Sequence, residues 1–205
     1  MTKRPPKAAR AASARPNVPM TAGDGVTEPP EGTAALIVDV VEDDAGWPEL
    51  GDASLAVTQA AAAVSRCTDL AIGHAEAAVA LASDAEVRAL NAAYRGKAKP
   101  TNVLSFPAFV SPGSRPAPGE RRMLGDIILA RETVLREAAE QGLSPRHHLQ
   151  HLVVHGLLHL LGYDHDNEPD ARAMEALEVR ILTGMRIPDP YGGLALETGE
   201  TKAQR

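Results

Sequence analysis

Six of the seven histidines in this chain fall between residues 147 and 165, and four stand in the mostly apolar stretch HLVVHGLLHLLGYDH, residues 151–165. Imidazole is the commonest metal ligand of proteins and a ready acid or base near neutral pH. On a helix, His151, His155 and His159 recur every four residues and share one face. Adjacent members are about 6 Å apart along the axis, close enough to converge on one ion, whereas His151 and His159 are about 12 Å apart. At most two of the three ligate one ion together. Gly162 ends the helix and lets the chain turn, which places His165 to supply a third nitrogen. Three histidines with one open position is the catalytic zinc arrangement, in which bound water is activated.

The pattern His155-x3-His159-x2-Gly162-x2-His165 has the spacing of a metzincin protease site. The position after the first histidine, where such a protease carries its general-base glutamate, is Gly156. The ligand spacing is there without the proton acceptor. Two readings fit such a site at this point. One is a zinc peptidase that borrows a distant acid; the other is a non-enzymatic assembly factor with a structural zinc. The second fits less well, because structural sites fill all four positions, commonly with cysteine. His151 is expected to support a ligand or face substrate. His147 and His148, near the helix start, are expected to be solvated, and His74 is isolated.

The elements that must position these residues follow from local signals. AALIVDVV (34–41), EAAVALAS (76–83), NVLSFPAFV (102–110) and LGDIILA (124–130) read as strands. Residues 53–67 are Ala-rich and helical. DAEVRALNAAYRG reads as a helix with Asp84 near its N-cap and Gly96 at its end, and RETVLREAAEQG as one ending at Gly142. The histidine helix starts with Ser144 as N-cap and Pro145 at its first position, and ends at Gly162. EPDARAMEALEVRILTGM is the last helix. Strands and helices interleave without a strict βαβ repeat, so the expected class is α+β: a mixed four-stranded sheet packed with about five helices, the metal site at the end of the long one.

The chain has 205 residues, and its hydrophobic fraction of 44% suffices for a real core; aromatics are only 3%, so that core is built from Ala, Leu, Val and Ile. Residues 1–33 read as a disordered basic extension. Lys3, Arg4, Lys7, Arg10 and Arg15 occur there with no acid before Asp24. Such a start also fits a transit peptide, but its prolines favour the tail. Residues 34–188 form the expected domain, and 189–205 a flexible tail. The net charge of −6 removes a whole-chain basic footprint for nucleic acid but leaves room for a local basic cleft. A single cysteine, Cys67, excludes an intrachain disulfide and a CxxC motif and fits a reducing compartment. No apolar run reaches the roughly 18 residues of a membrane span.

The run HGLLHLLGYDH, His155–His165, resembles the signature H-G-x-L-H-L-x-G-Y-D-H of the YbeY endoribonuclease family at every fixed position. LNAAYRGKAKPTNVLSFP, residues 90–107, is similar to a second family block, Y-R-x-K-D-x-P-T-N-V-L-S-F-P, and LGDIILA to a third. The likeness spans about residues 34–187 and departs at Ala98, where the family commonly has Asp. It implies a Zn2+-dependent, single-strand-specific endoribonuclease with one ion per chain held by His155, His159 and His165. It further implies maturation of the small-subunit ribosomal RNA 3′ end, ribosome quality control, a cytoplasmic bacterial setting, and ribosomal RNA and ribosome-associated proteins as partners.

The family's arginine falls on Arg95, the candidate catalytic group, whose planar guanidinium suits two phosphate oxygens of a transition state. Lys97 and Lys99 flank it as a local basic patch. With Ser105 and His151 they are the candidate substrate contacts; Asn102, like Ser105, either hydrogen-bonds substrate or is a strand residue facing solvent. Asp126 and Asp164 are the nearest acids. Either could be the missing base, or none is needed if the RNA 2′-hydroxyl attacks.

Overall fold

LIVDVVE opens the described chain as β1 (Leu36–Glu42), an apolar and β-branched run of the kind that pairs in a buried sheet. The computed structural model describes residues 36–42, 46–67, 70, 72–96, 99, 101–109, 117 and 119–192. The basic extension, residues 1–33, lies outside them, as do Lys97, Ala98 and residues 193–205 of the C-terminal tail. β1 runs parallel to β2 (Ala75–Ala82), and β2 parallel to β4 (Arg122–Ala130). β3 (Val103–Pro107) pairs antiparallel with β4 at the edge, giving the order β1-β2-β4-β3. This is the expected mixed four-stranded sheet, although β3 is shorter than the run 102–110. A register slip opposite Glu76 and Ala77 accommodates Gly125. There φ is +134° and an added Cβ would lie 2.1 Å from the Phe106 carbonyl oxygen, so only glycine fits.

Among the described residues, five α-helices pack around the sheet. α1 (Ala53–Ser65) buries Ala56, Val57, Ala60, Ala61 and Val64, and Asp52 caps it by accepting from the Leu55 N–H at 2.7 Å. Small alanines there let the helix approach closely. α2 (Asp84–Arg95) has Asp84 as its first residue, next to the cap as expected. Ser83 is the N-cap, in a reciprocal capping box with Glu86. Asp84 is thereby released for another task. Its carboxylate accepts from the backbone N–H and hydroxyl of Thr133 at 2.9 and 2.8 Å, in the first turn of α3 (Arg131–Glu140), a helix with no side-chain cap of its own. Glu132 returns the favour by accepting from the Asp84 N–H at 2.8 Å. That bond is the main reason its pKa is lowered.

α4 (Pro145–Leu160) is the central helix, and α5 (Glu168–Gly184) packs against it. Leu149, Leu152, Val153, Val154, Leu157 and Leu158 are buried, so α4 is apolar around most of its circumference. Side chains alternate across the sheet. Ile127 and Leu129 of β4 join the main core with α1, α4 and α5, whereas Leu104 and Phe106 of β3 pack with Val87 and Leu90 of α2 on the other face. Ser144 occupies the N-cap of α4 with Pro145 next, but its hydroxyl makes no cap bond. At the far end Tyr163 N–H bonds to Leu158 O and Gly162 N–H to His159 O, both at 3.0 Å, with Gly162 at φ +98°. This is the left-handed helix ending that the glycine predicts. Among the described residues, no helix is long and apolar enough to cross a membrane.

Candidate metal centre

The turn at Gly162 carries His165 back toward the last two turns of α4. One ring nitrogen from each of His155, His159 and His165 then lies within 4.8 Å of the others. The rings of His155 and His159 stand 4.6 Å apart and nearly perpendicular, and His165 is 5.8 and 5.1 Å from them. His155 and His159 are half-buried, while His165 is exposed, so the cluster opens to solvent on one side.

The outer nitrogens are committed. His159 Nδ1 faces the Tyr163 carbonyl oxygen at 3.0 Å, and His155 Nδ1 faces a carboxylate oxygen of Glu178 at 2.6 Å. Both partners only accept, so each Nδ1 carries the proton and donates. In the neutral rings both Nε2 atoms are then bare lone pairs, and they lie 3.1 Å apart. Two lone pairs at that distance repel unless a cation stands between them. Two nitrogens bound to one zinc at about 2.0–2.1 Å are roughly 3.3 Å apart across a tetrahedral angle. The residues therefore fit a metal ion. The His159 pKa is lowered, first by burial and then by the neighbouring His155 and His165, which keeps the ring in the neutral form that ligation requires.

Glu178 is the functional residue that sequence reasoning missed. It sits in α5, remote in sequence from the histidines, and its side chain is fully buried. The Tyr191 hydroxyl donates to its second oxygen. His151 Nε2 lies 3.5 Å from that same oxygen, in ion-pair range but without a hydrogen bond. Burial works to raise the Glu178 pKa, but His151, His155 and Tyr191 together outweigh it and hold the carboxyl at about 2. The same pairing, after burial, pushes the Tyr191 phenol upward, so it remains a donor. Nothing in the local pattern marks Glu178 except an acid on the apolar stripe of an amphipathic helix, Met174, Leu177, Ile181 and Leu182.

The comparisons with known proteins identify the family. The sequence model of the family described as Endoribonuclease YbeY matches residues 44–186. The chain belongs to the YbeY endoribonuclease family. A YbeY endoribonuclease of Bradyrhizobium diazoefficiens is 50% identical over 145 residues, 71% of this chain and 79% of the relative. One of Azorhizobium caulinodans is 49% identical over 156 residues, 75% of this chain and 95% of that one. Among solved structures, the solution structure of a Thermotoga maritima protein matches at a TM-score of 0.44 and 22% identity, over 75% of this chain and 98% of that one. YbeY proteins are hydrolases acting on RNA, which sets the peptidase reading aside.

In this YbeY chain the remaining candidate residues are distributed as follows. Arg95 is the last residue of α2. Lys99 is exposed, and its carbonyl accepts from the Asn91 amide at 2.7 Å. Ser105 faces α4, with its hydroxyl 3.5 Å from the Gly156 carbonyl. His151 stands one turn before the cluster, its ring 6.5 Å from that of His155. Gly156 points at the sheet, since an added Cβ would lie 3.0 Å from Ile127 Cδ1 and 3.2 Å from Ser105 Oγ. Asp126 alternates with Ile127 on β4 and so faces away from α4. Asp164 is 3.9 Å from His159 Nδ1 and accepts from the His165 N–H at 2.8 Å.

One expectation is corrected. His148 is not solvated but buried, with Nε2 3.0 Å from the Glu137 carboxylate, because α3 covers that side of the α4 start. Asn102 is structural at both ends: its amide donates to Glu137 at 2.9 Å and its oxygen accepts from Val103 N–H at 2.8 Å.

Proposed function

We propose that this chain is a zinc-dependent, single-strand-specific endoribonuclease that matures the small-subunit ribosomal RNA 3′ end and serves ribosome quality control in the cytoplasm. The observation that carries the metal part is the 3.1 Å approach of the two unprotonated Nε2 atoms of His155 and His159. His155, His159 and His165 hold the ion, and the exposed side at His165 leaves access for substrate. A zinc ion so bound polarises a phosphoryl oxygen and lowers the pKa of water. Three nitrogens and no thiolate are the donor set of a catalytic rather than a structural zinc.

The protein groups supply the rest. Arg95 offers a planar fork to two phosphate oxygens and matches the growing negative charge on phosphorus. Lys97 and Lys99 draw the RNA backbone to one place on an otherwise acidic chain. Ser105 and His151 line the approach to the histidines. Glu178 does not serve as the base, because both its oxygens are engaged and its pKa lies near 2. Asp126 faces the wrong side of the sheet. That leaves the exposed Asp164, or attack by the RNA 2′-hydroxyl with no carboxylate base. The relatives' assignments as endoribonucleases support an RNA substrate, and ribosomal RNA and ribosome-associated proteins are the partners this reading names.

The test is cleavage of end-labelled single-stranded RNA by purified protein, with His159→Ala and Arg95→Ala prepared in parallel. Both substitutions should abolish cutting. Cleavage that persists in both variants comes from a contaminant and leaves a ribosome assembly factor as the better reading.

A further inference from the structure

We propose that Tyr191, acting through Glu178, positions His155 as a metal ligand, so that the segment following α5 completes the metal centre. This rests on the metal reading above. Tyr191 lies beyond residues 44–186, the part that matches the family, so the family pattern does not assign it a role.

The chain is built to bring it there. After α5, Arg186 adopts φ +61°, a conformation that non-glycine residues seldom take. That turn lets Ile187 N–H bond to Leu182 O at 2.9 Å and sends the Ile187 side chain into the core. Asp189 then accepts from the Tyr191 N–H at 2.8 Å, closing a tight turn. The Tyr191 ring arrives perpendicular to that of His151, 6.1 Å away, and its hydroxyl reaches Glu178.

Glu178 is a fully buried carboxylate with one oxygen on each side of a choice. Oε1 accepts a hydrogen bond from His155 Nδ1–H and Oε2 accepts one from the Tyr191 hydroxyl. Without that hydroxyl, the near partner left to Oε2 is His151 Nε2, now 3.5 Å away, in ion-pair range but not hydrogen-bonded. A buried carboxylate seeks its missing donor, and a turn toward His151 draws Oε1 off His155. His155 then loses the bond that fixes its tautomer and aims its Nε2 at His159. Outer partners of this kind set ring orientation and metal affinity. Tyr191 and Glu178 are thus positioning residues and touch neither metal nor RNA.

The experiment measures Zn2+ affinity by competition with a chromophoric chelator, for full-length wild type, His159→Ala, Glu178→Gln, Tyr191→Phe and the double variant Glu178→Gln/Tyr191→Phe. Wild type should take up Zn2+ and His159→Ala should lose it. Glu178→Gln should weaken binding by about 10–100-fold, and Tyr191→Phe in the same direction by several-fold. In the Glu178→Gln background Tyr191→Phe should have little further effect, because one acts through the other. The His155 imidazole N–H resonance, protected in wild type, should exchange faster in Tyr191→Phe, a change that a merely structural role would not produce. Unaltered Zn2+ affinity in folded Tyr191→Phe, or independent effects in the double variant, overturns the proposal. A wild-type protein that binds no Zn2+ sinks the metal reading itself, and the proposal with it.

Discussion

Gly156 occupies the position at which a zinc protease of this spacing keeps its glutamate base. The structure gives the reason glutamate is absent. That face of α4 lies on the sheet, against the fully buried Ile127 and the Ser105 hydroxyl. The same contact lets α4 approach β3 and β4 closely enough to hold the histidines beside them. Alanine in place of Gly156 would favour the helix by about 1 kcal/mol. Overpacking against Ile127 costs roughly 1–3 kcal/mol, because a residue with no exposure has nowhere to move. Gly156→Ala should therefore lower the urea midpoint, and Gly156→Glu should lower it further without yielding peptidase activity. A gain in stability for Gly156→Ala would show that the helix can ride higher on the sheet.

Among the elements, α2 and α3 start side by side and cap each other across 48 residues of sequence. α3 lacks a cap at Ala130, and the Asp84 carboxylate serves its Thr133 instead. The pair matters to the site because α2 carries Arg95 and α3 packs against α4. Asp84→Ala removes two hydrogen bonds at a helix start and should cost roughly 1–2 kcal/mol, read as a fall in the urea midpoint at constant slope. Ser83→Ala removes the cap of α2 alone. A null result for Asp84→Ala would mean that water replaces it freely.

On the scale of the whole molecule, His148 links three elements. It meets Glu137 of α3 from its place in α4, and Glu137 also receives the Asn102 amide at the head of β3. Its pKa is lowered from 6.5, chiefly by burial, which outweighs the attraction of Glu137. The folded protein thus favours the neutral ring, while the unfolded chain takes up a proton as pH drops past about 6.5. Below that pH the unfolded state binds more protons, so stability falls as pH decreases, until the folded ring also protonates. His148→Gln should flatten part of the decline in urea midpoint as pH falls below about 6.5. An identical decline in wild type and variant would assign the acid sensitivity to other groups.

The sequence alone determined what depends on spacing and on local backbone chemistry. Four-residue intervals on a helix, a glycine that permits the turn, and a histidine three residues later specify which nitrogens meet, because they lie within one short segment. Apolar runs and caps likewise specified four strands and five helices, with errors of a few residues at their ends. Only the tertiary structure decided what comes from afar. Glu178 and Tyr191 reach the site because α5 packs against α4 and the chain turns at Arg186. Burial of His148 depends on α3, and the side on which Asp126 falls depends on the strand register. No local pattern encodes these, because each is set by which surfaces pack together, and that choice is made by the whole core at once.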